Sequence, residues 1–308
     1  MTKEISISSL KDYVGVISSL IERLMKPDLI NEEILFFRGL NDKTYDLIPA
    51  IARKPQSNTH NDLTWFEERF IHEARRKLPD IFIEEDYPIN LLTKLQHFGI
   101  PTRLLDITTN ALAALYFACK QKSGGVETEG EVIVFKQNID SVYSYTSPIA
   151  NAIAQSYMIS KFSNVTLNHL IKKSEQLPFF YEFSFDNPEN NFYDRDDYLR
   201  NIETRFKKPI FIFPLELSER QKRQQGAFII FPNKIDNTYL NYEISNVIQP
   251  INKDKDRTIA KRIIIPADRK ELLLRDLKSF GITEDFLFPD SIDVICQTIT
   301  RNIKGLYK

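Results

Sequence analysis

Glycine is scarce in this chain, 9 among 308 residues, and neither a G-x-G-x-x-G nor a G-x-x-x-x-G-K-[ST] loop occurs. Phosphate cradles built from glycine amides are therefore excluded, and a nucleotide site would need another plan. Cysteine is scarcer: Cys119 and Cys296 cannot form a disulfide framework, and with 4 histidines the chain lacks the Cys/His clusters of a zinc module. This usage points to a reducing compartment, and no metal site is expected. Long apolar runs are missing as well, none approaching the roughly 20 residues that span a bilayer. The N-terminal MTKEISISSLKDYVGVISSLIERLM carries charges where a secretory signal needs an unbroken apolar core. A soluble cytoplasmic protein with no membrane partner is expected. Net charge is absent too: 41 Lys plus Arg against 42 Asp plus Glu give −1, so no long-range field collects polyanions and any such binding must come from a local patch. What is present is an ordinary globular composition, 42% hydrophobic, with enough length to bury a large core.

Apolar residues Leu10, Tyr13, Val14, Ile17, Leu20, Ile21 and Leu24 recur at helical steps behind Ser8 and Ser9, which suit an N-cap. Ile34 to Phe37 reads as a buried strand ending at Arg38-Gly39. Helical periods follow at 61–78 and 90–98, with Pro79 and Gly99 as stops. Gly99-Ile100-Pro101 forces a tight turn, Thr102 to Ile107 is extended or irregular, and Asn110 can cap a helix running ALAALYFACKQ. Strands are expected at 131–136, 209–215, 227–231 and 263–265, and a helix capped by Asp268 that ends near Gly281. Residues 147–173 read as mainly helical, and 182–195 as an acidic, aromatic loop. Without a regular βαβ rhythm, the expected fold is α+β, a mixed or antiparallel sheet flanked by helices. The expected organisation is an N-terminal helix within 1–29, a main domain over 30–300 with a helical insertion near 140–205, and a tail at 301–308.

Three segments could carry chemistry. QHFGIPTRLLDITTNALAALYFA, residues 96–118, packs Gln96, His97, Arg103, Asp106, Thr108, Thr109 and Asn110 among apolar neighbours, where polar groups need partners. In one arrangement these are struts, Arg103 pairing with Asp106 or backbone while Gln96 and His97 cap a turn. In the other they wall a pocket, with Arg103 on a phosphate or carboxylate, His97 moving a proton and Asp106 orienting or polarising the attacking group. In FFRGL, residues 36–40, Arg38 can fork onto an anion while Gly39 leaves room for a ligand beside the backbone; Tyr45, Pro49 and Arg53 would extend that wall. A salt-bridged or solvated Arg38 is the plain alternative. Third, Arg200 to Arg223 holds seven Lys and Arg against Glu203, Glu216 and Glu219, a net of +4, and leads into Gln225-Gly226, where Gln225 could touch a ligand. A solvated face is its alternative. Asp194, Asp196 and Asp197 lack the glycine and distal Glu of a calcium loop, Glu68 and His72 lack a third ligand, and Cys119 reads as core packing.

Taken together, these motifs resemble the FRG domain family. Phe37-Arg38-Gly39 is the naming motif, the Tyr45, Leu47, Pro49 and Arg53 spacing follows, and residues 96–118 are nearly the family's central pattern, with Ile107 and Ala111 where Trp and Pro are frequent. RQQGAF at 223–228 and FGITEDFLFPDS at 280–291 also resemble the family, which implies coverage from about 30 to 300. The resemblance carries no assigned activity. The Arg38-Gly39 strand end is similar to the first strand of ADP-ribosyltransferases, whose Arg holds NAD in a cleft made by a split mixed sheet. This implies an ADP-ribosyltransferase-like plan, with Gln224-Gln225-Gly226 standing where those enzymes place a glutamate. A cleft of Arg38, Gly39, Gln96, His97, Arg103, Asp106 and Gln225 that takes a nucleotide or NAD-like substrate is the leading expectation, in a toxin or phage-defence effector. Transfer or hydrolysis of the glycosidic bond is left open. The alternatives are a nucleic-acid-directed effector and a protein-interaction module without catalysis.

Overall fold

The computed structural model describes residues 4–24, 32–53, 63–82, 87–121, 127–156, 206–238, 241–245 and 247–289. Most of the expected insertion, the acidic loop, Asp194, Asp196, Asp197, Arg200, Arg205, Cys296 and the tail lie outside the described residues. In chain order the described elements begin with β1 (Glu4–Ser6), α1 (Leu10–Leu24), β2 (Glu33–Leu40), α2 (Glu67–Lys77) and α3 (Pro88–His97). They continue with β3 (Leu104–Thr108), α4 (Ala111–Cys119), β4 (Gly130–Asn138), β5 (Val142–Ser144), α5 (Pro148–Ala154) and β6 (Ile210–Phe213). The last are α6 (Glu219–Arg223), β7 (Gly226–Ile230), β8 (Ile235–Thr238), β9 (Asn241–Ile244), β10 (Ile259–Ile265), α7 (Lys270–Ser279) and α8 (Glu284–Leu287).

The fold is α+β, with an eight-stranded mixed sheet in the order β1-β10-β4-β2-β3-β7-β6-β5. The outer pairs β1–β10 and β5–β6 are parallel and the pairs between them antiparallel. At the centre, β2 and β3 share one register pair, Phe37 with Thr108, whereas β2 and β4 are paired from Glu33–Asn138 to Leu40–Glu131. The sheet is thus two ladders that part at β2 and β3.

Strand alternation sorts the core. Phe37, Val132, Val134 and Ile263 meet α1, α4 and α7 on one face, where Leu104, Phe228 and Ile230 meet α2, α3 and α5 over the other half of the sheet. Phe36, Leu105, Ile107, Ile133, Ile229 and Phe231 point to the opposite face, against Leu47, Ile51, Ile248 and Ile251. Helix ends follow their expected chemistry in three places. Asn110 Oδ1 accepts from the amides of Leu112 and Ala113 at 3.0 and 3.1 Å, and Gly99 and Gly281 close α3 and α7 in left-handed conformations, φ 83° and 77°. Asp268 differs: it sits in a short 3-10 turn before α7 and gives that helix no side-chain cap.

Two residues expected at a ligand site are built into the scaffold. Arg103 is 1% exposed, and its guanidinium is occupied: Nε donates to Glu67 Oε1 at 2.9 Å and Nη2 to Glu67 Oε2, while Nη1 donates to the Phe231 carbonyl at 3.1 Å and Asn233 Oδ1 at 2.8 Å. It therefore neither pairs with Asp106 nor binds an anion; it ties α2 to the end of β7. Gly39 leaves room for α4, because a Cβ there would lie 1.9 Å from the Ala114 carbonyl oxygen and 2.7 Å from the Ala118 amide nitrogen. Gly130 seats the same helix on β4, its Cβ position 2.2 Å from the Ala118 carbonyl oxygen.

Removing one partner of the Arg103–Glu67 pair strands a buried charge, so Arg103→Ala is expected to lower stability by about 3–5 kcal/mol in chemical denaturation, with Asp106→Ala far milder. Arg103→Met with Glu67→Leu should recover part of that loss. Gly39→Ala should destabilise comparably by forcing β2 away from α4, measurable as a loss of soluble, cooperatively melting protein.

Candidate functional site

Above the parting of β2 and β3, between the two groups of helices, lies an open groove of two lobes. Asp106, Ile107, Arg220 and Gln224 line both. The lobe toward α3 has a cavity volume of about 140 Å3 and adds Thr93, Gln96, His97, Ser218 and Gln221. The lobe toward α4 has about 180 Å3 and adds Phe37, Arg38, Gly39, Thr108 and Phe117.

Local structure sets each polar group. The left-handed Gly99 ends α3, with Ile100 N–H returning to the Leu95 carbonyl at 2.9 Å, so Gln96 and His97 in the last turn face the strand that follows. The Thr102 hydroxyl accepts from Leu104 N–H at 3.1 Å and so donates to Gln96 Oε1; this fixes the amide, whose Nε2 donates to Asp106 Oδ1 at 2.8 Å. Asp106 itself is exposed on β3. His97 is half-buried, its ring edge-on to Phe98 at 5.0 Å.

Arg38 belongs by alternation to the face of Phe36 and Leu40, yet it reaches across the widening gap and its Nη1 donates to the Asp106 carbonyl. Its Nε is buried without a hydrogen-bond partner. Burial pushes the guanidinium down to about 10, against the pull of Asp106 and with a smaller push from Arg53, so it stays cationic at neutral pH. Tyr45, Pro49 and Arg53 line neither lobe, and Arg53 Nε donates to the Ile48 carbonyl at 3.4 Å.

The groove therefore gathers Arg38, Gly39, Gln96, His97 and Asp106, and leaves out Arg103 and Gln225. Gln225 is a turn residue with φ 45°, its side chain exposed and its carbonyl accepting from Thr109 N–H at 3.1 Å. Gly226 makes room for Gln221, whose Cγ would lie 3.3 Å from an added Cβ. The sequence places Arg220 in the basic segment and Gln224 in the Gln-Gln-Gly run without assigning either to this groove, although four residues apart at a helix end they share one face. Within the basic segment, Lys222 pairs with Glu219 at 2.9 Å, and Arg220 and Arg223 lie over the rings of Phe288 and Phe286.

Two further candidates lie away from the groove. His72 contacts Glu68 at 3.3 Å on an exposed helix face. Cys119 is buried, and desolvation raises its thiol to about 12, which makes it a packing group. Among the described residues no group of His, Cys, Asp and Glu could hold a metal ion, and no helix is long and apolar enough to cross a membrane.

Comparison with known proteins gives one positive result. A family model described as the FRG domain matches residues 33–125, the span that holds Phe37-Arg38-Gly39 and the whole of 96–118. No curated protein and no solved structure matches the chain. The likeness noted at 223–228 and 280–291 lies beyond the matched span. With the strand that bears Arg38, the turn at Gly99 and the capped helix after Asn110 all inside that span, the chain carries an FRG domain at residues 33–125.

Proposed function

We propose that the groove binds a nucleotide through its phosphate and ribose, as an NAD-like ligand or its ADP-ribose half would present them. The observation that carries this reading is the shared wall: Arg220, Asp106 and Gln224 border both lobes, with Arg38 on one side and Gln96 and His97 on the other. Arg38 and Arg220 supply charge for phosphate, and a bound anion would offset the desolvation of the Arg38 guanidinium. Asp106, with Oδ1 held by Gln96, offers its other oxygen to a sugar hydroxyl. Phe37 and Phe117 give the second lobe an aromatic wall.

Size favours a portion of a dinucleotide. Pockets that enclose drug-sized ligands run to roughly 300–1,000 Å3, and each lobe is smaller, about 140 and 180 Å3. A phosphate in one lobe and a ribose in the other fit that division. The parting of the sheet at β2 and β3 agrees with the split-sheet cleft of the ADP-ribosyltransferase-like plan, and Asp106 is the exposed carboxylate placed to stabilise an oxocarbenium-like ribosyl centre. We propose effector action on NAD, in toxicity or phage defence, as the setting for that chemistry.

Binding of ADP, ADP-ribose or NAD should raise the melting temperature, by about 2.7 kcal/mol of added stability at a hundredfold excess over Kd. Arg38→Lys keeps the charge but loses the planar fork, and should weaken ADP roughly tenfold in calorimetry. Asp106→Asn should fold normally and lose any nicotinamide release from NAD that the unmodified chain shows. No thermal shift with any of the three ligands at millimolar concentration overturns the reading.

A further inference from the structure

We infer that the Leu287–Phe288 segment closing α8, far outside the matched span, is a working part of the groove, and that Phe288 is a positioning residue for Arg220. This deepens the nucleotide reading and rests on it. The two side chains that border both lobes from α6 are held from the same place. Arg220 Cζ lies 4.6 Å from the Phe288 ring centroid, and Gln224 Nε2 donates to the Leu287 carbonyl at 2.9 Å.

The short helix that carries that segment is itself fixed at both ends. Thr283 Oγ1 caps α8 by accepting from Phe286 N–H at 3.3 Å, Leu287 is buried in the core beneath α7, and Lys120 Nζ reaches Glu284 Oε1 at 3.1 Å. Lys120 Nζ also lies over the Phe288 ring at 5.0 Å, and Phe117, which lines the second lobe, meets that ring edge-on at 6.0 Å. One aromatic ring thus touches a wall residue and a cation of the groove. A guanidinium seated over a ring keeps its charge and its N–H donors while losing rotamers, so less entropy is spent when an anion arrives.

The same helix supplies an internal control. Arg223 lies over Phe286 at 5.4 Å, a similar pairing on the same two elements, but Arg223 lines neither lobe. Loss of ring stacking alone would register in the arginine signals of both pairs. A positioning role separates them.

ADP titration of the full chain by calorimetry, beside NMR of the arginine side-chain N–H signals, tests this. Phe288→Leu should weaken ADP about fivefold and abolish the ring-current shift of the Arg220 signal. Phe288→Tyr should restore both, and Phe286→Leu should leave ADP affinity unchanged. Equal losses from Phe288→Leu and Phe286→Leu, or no rescue by tyrosine, overturn the positioning role. ADP binding that Phe288→Leu does not alter overturns it while leaving the nucleotide reading intact; absence of ADP binding by the unmodified chain overturns the nucleotide reading, and this role with it.

Discussion

The single register pair between β2 and β3 is the constraint from which the groove follows. Antiparallel neighbours normally exchange hydrogen bonds along their length, and where two strands part, their edges need other partners. Here the Arg38 guanidinium takes the Asp106 carbonyl, and the Thr108 hydroxyl accepts from Asn110 N–H while donating to the Gln224 carbonyl. The side chains that satisfy the open edge are therefore those that border the groove or fix its turns. A continuous ladder at this point would close the floor and leave the helix groups nothing to frame.

Two kinds of buried polar chemistry are kept apart. Around Arg103 every guanidinium nitrogen has an acceptor in the interior, and the pair with Glu67 is sealed, so the group serves cohesion. Around Arg38 the Nε lacks a partner, and at Asp106 the carboxylate is open to solvent. Three positions along the chain separate Arg103 from Asp106, yet strand alternation and the bend at Arg103 send them to opposite fates.

Much of the scaffold was legible in the sequence because it depends on local signals. The 3.6-residue period of α1, the glycine stops at 99 and 281 and the Asn110 cap all act within a turn of themselves. Long-range pairing was not legible. The short strands β1 and β5 carry too few residues for a period, and each is held by a parallel neighbour far along the chain, β10 and β6. Glu67 left a readable trace, since it shares with Ile71 and Ala74 the buried face of α2, where an ionisable group demands an interior cation. Gln225 and Gln224 could not be told apart without knowing that the chain turns through a positive φ at 225, which swings one amide out and leaves the other over the groove.

The glycines at 39 and 130 have an implication for what a family signature reports. Both are vacant of side chain because one helix backbone rests directly on two strands, as the 1.9 and 2.2 Å positions of added Cβ atoms show. The last letter of the naming motif is thus a seat for architecture, set beside the lobe that the neighbouring arginine borders. In this chain the chemical character of the groove comes instead from walls contributed by later, less conspicuous segments, the turn of helix that carries Arg220 and Gln224 above all.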